Sequence, residues 1–274
     1  MDSVRSFINK IMVFFLKITG KRPLAFAYNI YKWRMIEKYL KLNLFNEGNL
    51  TQNYGTMIDE RIIEYPWLLS RLPEEKGILL DAGSALNFEQ LLCLPIIQSK
   101  KIFISTLAPE KNSYWKNGIS YVYEDLRNTC YKENNFDWIV SISTLEHIGL
   151  DNTTFYTDDP RKKENLPSSY LSAIREFYRI LKPGGILFIT VPYGQYQNHG
   201  WFQVFDEDMI EALITTFSPS SYLESHFQYL DNSWQKSTRQ LSKDAPCFDI
   251  QKKSGTTSEI SPFSRAVICL ELKK

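Results

Sequence analysis

The sequence predicts an α/β protein built on one main domain with a mostly parallel sheet. Three observations carry that expectation. Short apolar runs alternate with helical segments, the pattern of βαβ units. Two strand-like segments close the chain, which suits an antiparallel edge on an otherwise parallel sheet. The composition, 43% hydrophobic and 23% charged over 274 residues, allows a full core and excludes a disordered chain.

The elements follow in order. Residues 3–18 place Val4, Phe7, Ile8, Ile11, Phe14, Phe15 and Ile18 at helical spacing, with Arg5, Lys10, Lys17, Lys21 and Arg22 along or just beyond them. Such a basic amphipathic helix can rest on an anionic membrane surface, giving peripheral membrane contact through residues 3–22. Packing on its own domain, or on a second copy of the chain in a homo-oligomer, is the favoured alternative. A second helix spans Leu24 to Leu42, and the Gly- and Asn-containing stretch from Asn43 to Gly55 reads as a linker. The boundary therefore falls between an N-terminal helical extension at 1–50 and a main domain at 51–274. Strands are expected at Gly77–Asp81, Lys101–Ser105, Ile119–Tyr123, Phe136–Ile142 and Ile186–Val191. Helices are expected at Phe88–Gln98, Pro109–Lys116 and Ser168–Leu181, the last stopped by Lys182-Pro183-Gly184-Gly185. Asp206 reads as the N-cap of a helix carrying Met209, Ile210, Leu213, Ile214 and Phe217. Ser220–Leu230 and Ala266–Leu272 supply the late strands.

Composition excludes several function classes. Thirty-two basic residues balance 31 acidic ones, for a net charge of +1, so no nucleic-acid partner is expected. The four cysteines form no CxxC pair and the three histidines no His-x-x-x-His pair, which argues against a disulfide scaffold or a metal site. A reducing cytoplasm is the expected location. The longest apolar run, Ile11 to Leu16, is too short to span a bilayer and precedes no small-residue cleavage site.

In open α/β sheets, ligands bind beyond the carboxyl ends of the strands, so the residues after each apolar run are the ones to read. The first run gives Leu80-Asp81-Ala82-Gly83-Ser84-Ala85-Leu86-Asn87. Glu124-Asp125-Leu126 follows the third, and Ser143-Thr144-Leu145-Glu146-His147-Ile148 the fourth. Arg179-Ile180-Leu181-Lys182-Pro183-Gly184-Gly185 leads into the fifth. This ordered set resembles the class I S-adenosylmethionine-dependent methyltransferase family over roughly residues 75 to 195. The resemblance implies a Rossmann-like, doubly wound, seven-stranded sheet with a reversed last strand, and S-adenosyl-L-methionine as cofactor. It assigns Asp81, Gly83 and Ser84 to the methionine end of the cofactor, with Asn87 where the loop turns into its helix. Asp125 accepts from the adenine amino group beside the Leu126 N–H, and Ser143 lies under the sulfonium.

Two departures stand out. The loop carries Ala85 and Asn87 where the family has glycines, and Asn accepts left-handed backbone better than most residues. After the second strand, Thr106 stands where the family has an acid that grips both ribose hydroxyls. Thr106 makes one neutral hydrogen bond at most, weaker than a charge-assisted pair. Either Glu110 holds the ribose instead, or cofactor binding is weak or lost. An NAD site and a P-loop are excluded by their missing glycine motifs.

For a hydroxyl acceptor a general base is needed, and His147, after the fourth strand, is the first candidate. The segment from Pro192 to Gln203 is dense in amides and aromatics, which suits a sugar. It supplies His199 as an alternative base, with Tyr193 and Asn198 as substrate contacts. The insertion from Asp151 to Leu166 reads as a lid over the acceptor site or as a solvated loop. The expected function is O-methylation of a small-molecule or glycan acceptor. The alternatives are a binding protein of the same fold that has lost turnover, and a membrane-peripheral partner protein.

Overall fold

The computed structural model describes residues 10, 11, 13, 14, 25–157, 159–249 and 262–274. Most of the amphipathic segment at 3–18 lies outside the described residues, as does the basic pair Lys21-Arg22. Val13 packs against the core. No described helix is long and apolar enough to cross a membrane.

A sheet of eight strands runs in the order β3-β2-β1-β4-β5-β10-β8-β9. Its members are β1 (Ile78–Ala82), β2 (Lys101–Thr106), β3 (Ser120–Tyr123), β4 (Phe136–Ile142), β5 (Leu181–Pro192), β8 (Ser221–Leu230), β9 (Ser233–Ser237) and β10 (Ala266–Lys273). Strands β3, β2, β1, β4 and β5 pair in parallel, and β10 enters antiparallel between β5 and β8. A two-residue hairpin, β6 (Gln197–Asn198) with β7 (Gln203–Val204), stands outside it. The eighth strand corrects the expectation of seven. β8 turns into β9 through Asp231 and Asn232, both left-handed at φ 47° and 61°. That is the geometry of a two-residue hairpin whose twist matches the strands it joins.

The strand period of two divides the core into two layers. Leu79, Trp138, Val140, Ile142, Phe188 and Cys269 face α1 (Ala25–Lys41) and α2 (Arg61–Arg71). Leu80, Ile139, Leu187, Ile189, Ile268 and Leu270 face α3 (Tyr170–Ile180) and α4 (Glu207–Phe217). Each fully buried aromatic or aliphatic side chain here contributes roughly 1.5–3 kcal/mol of transfer free energy. The Asp206 carboxylate accepts the Met209 N–H at 3.0 Å and caps α4. Within α2, Pro66 has no N–H for the Ile62 carbonyl. The buried Tyr54 hydroxyl donates to that carbonyl at 3.1 Å instead.

Two expected helices differ. Phe88–Gln98 is two single turns, Glu89–Leu92 and Pro95–Gln98, because Pro95 starts a new helix. Pro109–Lys116 forms no α-helix, only a 3₁₀ turn at Trp115–Asn117. That stretch lies across the mouth of the strands and is shaped by side-chain contacts rather than by helical spacing.

Candidate active site

Strand order reverses between β1 and β4, the topological switch point at which doubly wound sheets bind ligands. A cavity of about 480 Å³ opens there. One rim comes from the ends of β1, β2 and β3: Gly83, Thr106, Glu110, Asp125 and Leu126. The opposite wall comes from after β4 and from the insertion: Ser143, Thr144, His147, Phe155, Tyr156 and Glu164, with Trp201.

The loop after β1 is held by its own acid. Asp81 is fully buried, and its two oxygens accept the Ala85 N–H at 3.0 Å and the Leu86 N–H at 2.8 Å. Burial, reinforced by the negative charge of Glu110, pushes its carboxyl up to about 7 against the pull of those two N–H groups. Asp81 thus acts on the loop rather than facing the cavity. Gly83, at φ 115°, has no room for a side chain: a Cβ would lie 2.1 Å from Thr144 Oγ1. The left-handed residue of the loop is Ser84 (φ 65°), not Asn87, whose φ is not positive. The Ser84 hydroxyl is buried without a hydrogen-bond partner. Asn87 works through its side chain. Its Nδ2 donates to Glu110 Oε2 at 3.2 Å and to the Asn112 carbonyl at 3.1 Å, and its Oδ1 accepts from the Tyr121 hydroxyl at 2.8 Å. Those three bonds tie the segment after β2, with Glu110, to the cavity rim.

On β3's side, burial works against the Asp125 carboxylate. The forked Arg127 guanidinium nevertheless holds it below the usual range. Arg127 also reaches Glu164 of the insertion at 2.7 Å, so one cation joins the Asp125 side of the rim to the insertion. Glu124 does not reach the cavity. It accepts from the Ser105 hydroxyl at 2.8 Å and the Cys130 N–H at 2.8 Å.

Beyond β4, Ser143 stands at φ 42° and donates from Oγ to Glu64 Oε1 at 2.7 Å. The same oxygen accepts from Thr190 Oγ1 at 2.6 Å, and Arg61 pairs with Glu64 at 2.5 Å. Glu64 is fully buried in α2 and locks the ends of β4 and β5 together. Its place was legible as the one charge inside the apolar run from Ile62 to Leu68. Next in the chain, Glu146 turns inward. Its Oε2 has no hydrogen-bond partner, and burial holds its carboxyl well above the usual range.

His147 turns the other way and lines the cavity. Its Nδ1 lies 2.9 Å from the Trp201 carbonyl, which can only accept, so Nδ1 carries the proton and Nε2 keeps its lone pair. Burial draws the imidazole below its ordinary pKa. A neutral imidazole with its proton on Nδ1 can take a second one at Nε2.

The other expected residues lie elsewhere. Tyr193 is buried at the end of β5 against His226, His199 stacks on Phe202 at 4.4 Å, and Asn198 caps the Gly200 N–H at 2.7 Å. None of the three lines the cavity. Trp201, from the same segment, does.

The fold and this hollow place a ligand site at the switch point of a parallel sheet. Residues 99–189 match the family model described as a methyltransferase domain. That segment, about a third of the chain, is similar to a methyltransferase domain. No curated protein matches the chain. Among solved structures it is similar to the [4+2]-cyclase SpnF (16% identity, 59% of this chain and 58% of that one, TM-score 0.42). It is also similar to a methyltransferase from Thermotoga maritima (15% identity, 88% and 100% coverage, TM-score 0.46). A third is Burkholderia thailandensis 1,6-didemethyltoxoflavin-N1-methyltransferase, solved with its substrate and S-adenosylhomocysteine (14% identity, 92% of each chain, TM-score 0.47).

The cavity suits the expected S-adenosylmethionine on three counts. It lies at the switch point, and the orphaned Ser84 hydroxyl sits in the adjoining loop. Its rim also carries the carboxylates of Glu110 and Asp125.

Proposed function

We propose that this chain methylates a hydroxyl oxygen of a small-molecule acceptor, with His147 as the general base. The single observation behind the base is the hydrogen bond from His147 Nδ1 to the Trp201 carbonyl, which leaves Nε2 basic at the cavity wall. S-adenosylmethionine supplies a methyl group already activated on a sulfonium. The work left to the chain is to align the acceptor, exclude water and take up one proton. The oxygen–methyl bond forms as the sulfur–methyl bond breaks, and the hydroxyl proton passes to Nε2 of His147, leaving the thioether product.

On the donor side, Asp81 fixes the backbone of the loop while Gly83 and Ser84 face the methionine end. Glu110, held by Asn87, takes the place of the missing ribose acid, with Thr106 as a neutral second partner. Asp125, already paired with Arg127, and the Leu126 N–H meet the adenine edge. The glycan branch of the acceptor reading draws no support from Tyr193, Asn198 and His199, which lie off the cavity. The small-molecule branch fits the walled cavity better.

The experiment is His147→Ala. Turnover is expected to drop by about 10²–10⁴-fold, with S-adenosylhomocysteine affinity by calorimetry unchanged. Full turnover in the variant would remove the base and, with it, the case for a hydroxyl acceptor.

A further inference from the structure

We propose that the acceptor carries its reacting hydroxyl on an aromatic ring, seated against a wall formed by Trp201 and Phe155 beside His147. The inference rests on the hydroxyl reading above and adds the class of molecule that bears it.

The first support is the geometry of three rings along one side of the cavity. His147 stacks on Trp201 with centroids 5.2 Å apart and planes at 29°. Phe155 lies 5.5 Å beyond Trp201, tilted by 47°. Trp201 is fixed from behind, its Nε1 donating to Asp249 Oδ1 at 3.0 Å. Phe155 lines the cavity yet is 61% exposed, a large ring with one side uncovered. Tilted rings at this spacing leave a corner where a third ring can stack offset on one and edge-on to the other.

The second support is what the wall cannot offer. Three polar side chains next to the rings already serve the protein. The Ser143 hydroxyl donates to Glu64, the Thr144 hydroxyl to the Ile142 carbonyl, and the Asn152 amide to the His147 and Leu150 carbonyls. The corner beside the rings therefore favours an acceptor with an apolar body over one with several hydroxyls at that point.

The third is the strength of the base. A buried imidazole, below its ordinary pKa, is a weak proton acceptor. A phenolic hydroxyl titrates at about 10, whereas an alkanol lies near water, at about 15.7. The proton is therefore far easier to take from the phenol.

The test uses the full chain loaded with S-adenosylhomocysteine, and 2-naphthol as the probe. Calorimetry is expected to show 2-naphthol binding at least tenfold more tightly than cyclohexanol or methyl α-glucoside. Phe155→Ala should weaken 2-naphthol about tenfold, while Phe155→Tyr restores it and S-adenosylhomocysteine affinity stays fixed. Because Phe155 is mostly exposed, its removal should leave the fold intact, and Trp201→Phe offers a second variant that retains a ring. Equal affinity for the glucoside, no 2-naphthol binding, or indifference to Phe155→Ala would each overturn the aromatic wall. Separately, with S-adenosylmethionine present, methylation of 2-naphthylamine but not of bound 2-naphthol would overturn the hydroxyl while leaving the wall standing.

Discussion

The two sides of the cavity are built in opposite ways. The cofactor rim has a local frame, even though Asn87 ties it to residues 23 to 34 positions on. Asp81 binds N–H groups four and five residues on, and Arg127 grips an acid two residues back. The acceptor wall is assembled over distance, His147 bonding a carbonyl 54 residues away and Trp201 an acid 48 residues away. The frame of the cofactor side is thus set largely by neighbours in sequence, while the acceptor wall needs the end of β4 and the β5–β8 connection brought together. Substitutions on the two sides should therefore separate donor affinity from acceptor affinity.

The largest expected effect on the donor side belongs to Asp81→Ala. It leaves two buried N–H groups unsatisfied, at about 1–3 kcal/mol each. S-adenosylhomocysteine affinity should fall by about 100-fold in calorimetry, with a lowered Tm. A variant that binds normally would mean that the loop after β1 keeps its shape without its acid.

Glu110→Ala comes next. A ribose hydroxyl bonded to a carboxylate is worth about 1.5–3 kcal/mol, so affinity should drop at least tenfold. Placing an acid at the end of β2 provides the sharper check. Thr106→Asp in the Glu110→Ala background should restore binding, since it puts a carboxylate where related enzymes carry one. If the double variant stays weak, Glu110 acts on the loop and not on the ribose.

This comparison also explains what could be read from the sequence. Asp81, the loop after β1 and the end of β4 were legible because each function is encoded within a few residues of an apolar run. Ser143 and His147 could be placed at the sheet edge for the same reason. Trp201 could not, since nothing in Asn198-His199-Gly200-Trp201 tells which ring turns toward the cavity. That is set by the Asp249 contact and by Phe202 taking the buried side with His199. Phe155 was hidden in an insertion that reads as a lid or a solvated loop, where nothing singles out one ring. The eighth strand was missed although Asp231-Asn232 spells its turn, because the antiparallel edge already had its expected pair.

Protonation gives a smaller effect. Asp81 is raised to about 7 in the fold from an ordinary carboxyl value, so between those limits the folded state holds a proton that the unfolded state has lost. Its contribution to stability is therefore full in acid and is lost as pH rises toward 7. Glu60, pushed up to about 8 by burial and then by Asp59, extends the same trend. Melting temperature should thus fall between pH 5 and pH 8, and Asp81→Asn should flatten the lower part of that slope. An unchanged slope in the variant would assign the whole trend to Glu60 and Glu146.

The smallest effect tests whether the two sides are coupled at all. Arg127 is their one described bridge, holding Asp125 of the rim and Glu164 of the insertion. Both partners are partly exposed, with side chains 40% and 32% accessible, so solvent screens the pair and its worth is at most about 1 kcal/mol. Glu164→Gln should therefore change S-adenosylhomocysteine affinity by less than about threefold while raising the acceptor KM, because only the insertion loses its tether. Should donor affinity fall as far as acceptor affinity, the insertion and the cofactor rim move as one body, and the division between a local and an assembled half of the cavity fails at Arg127.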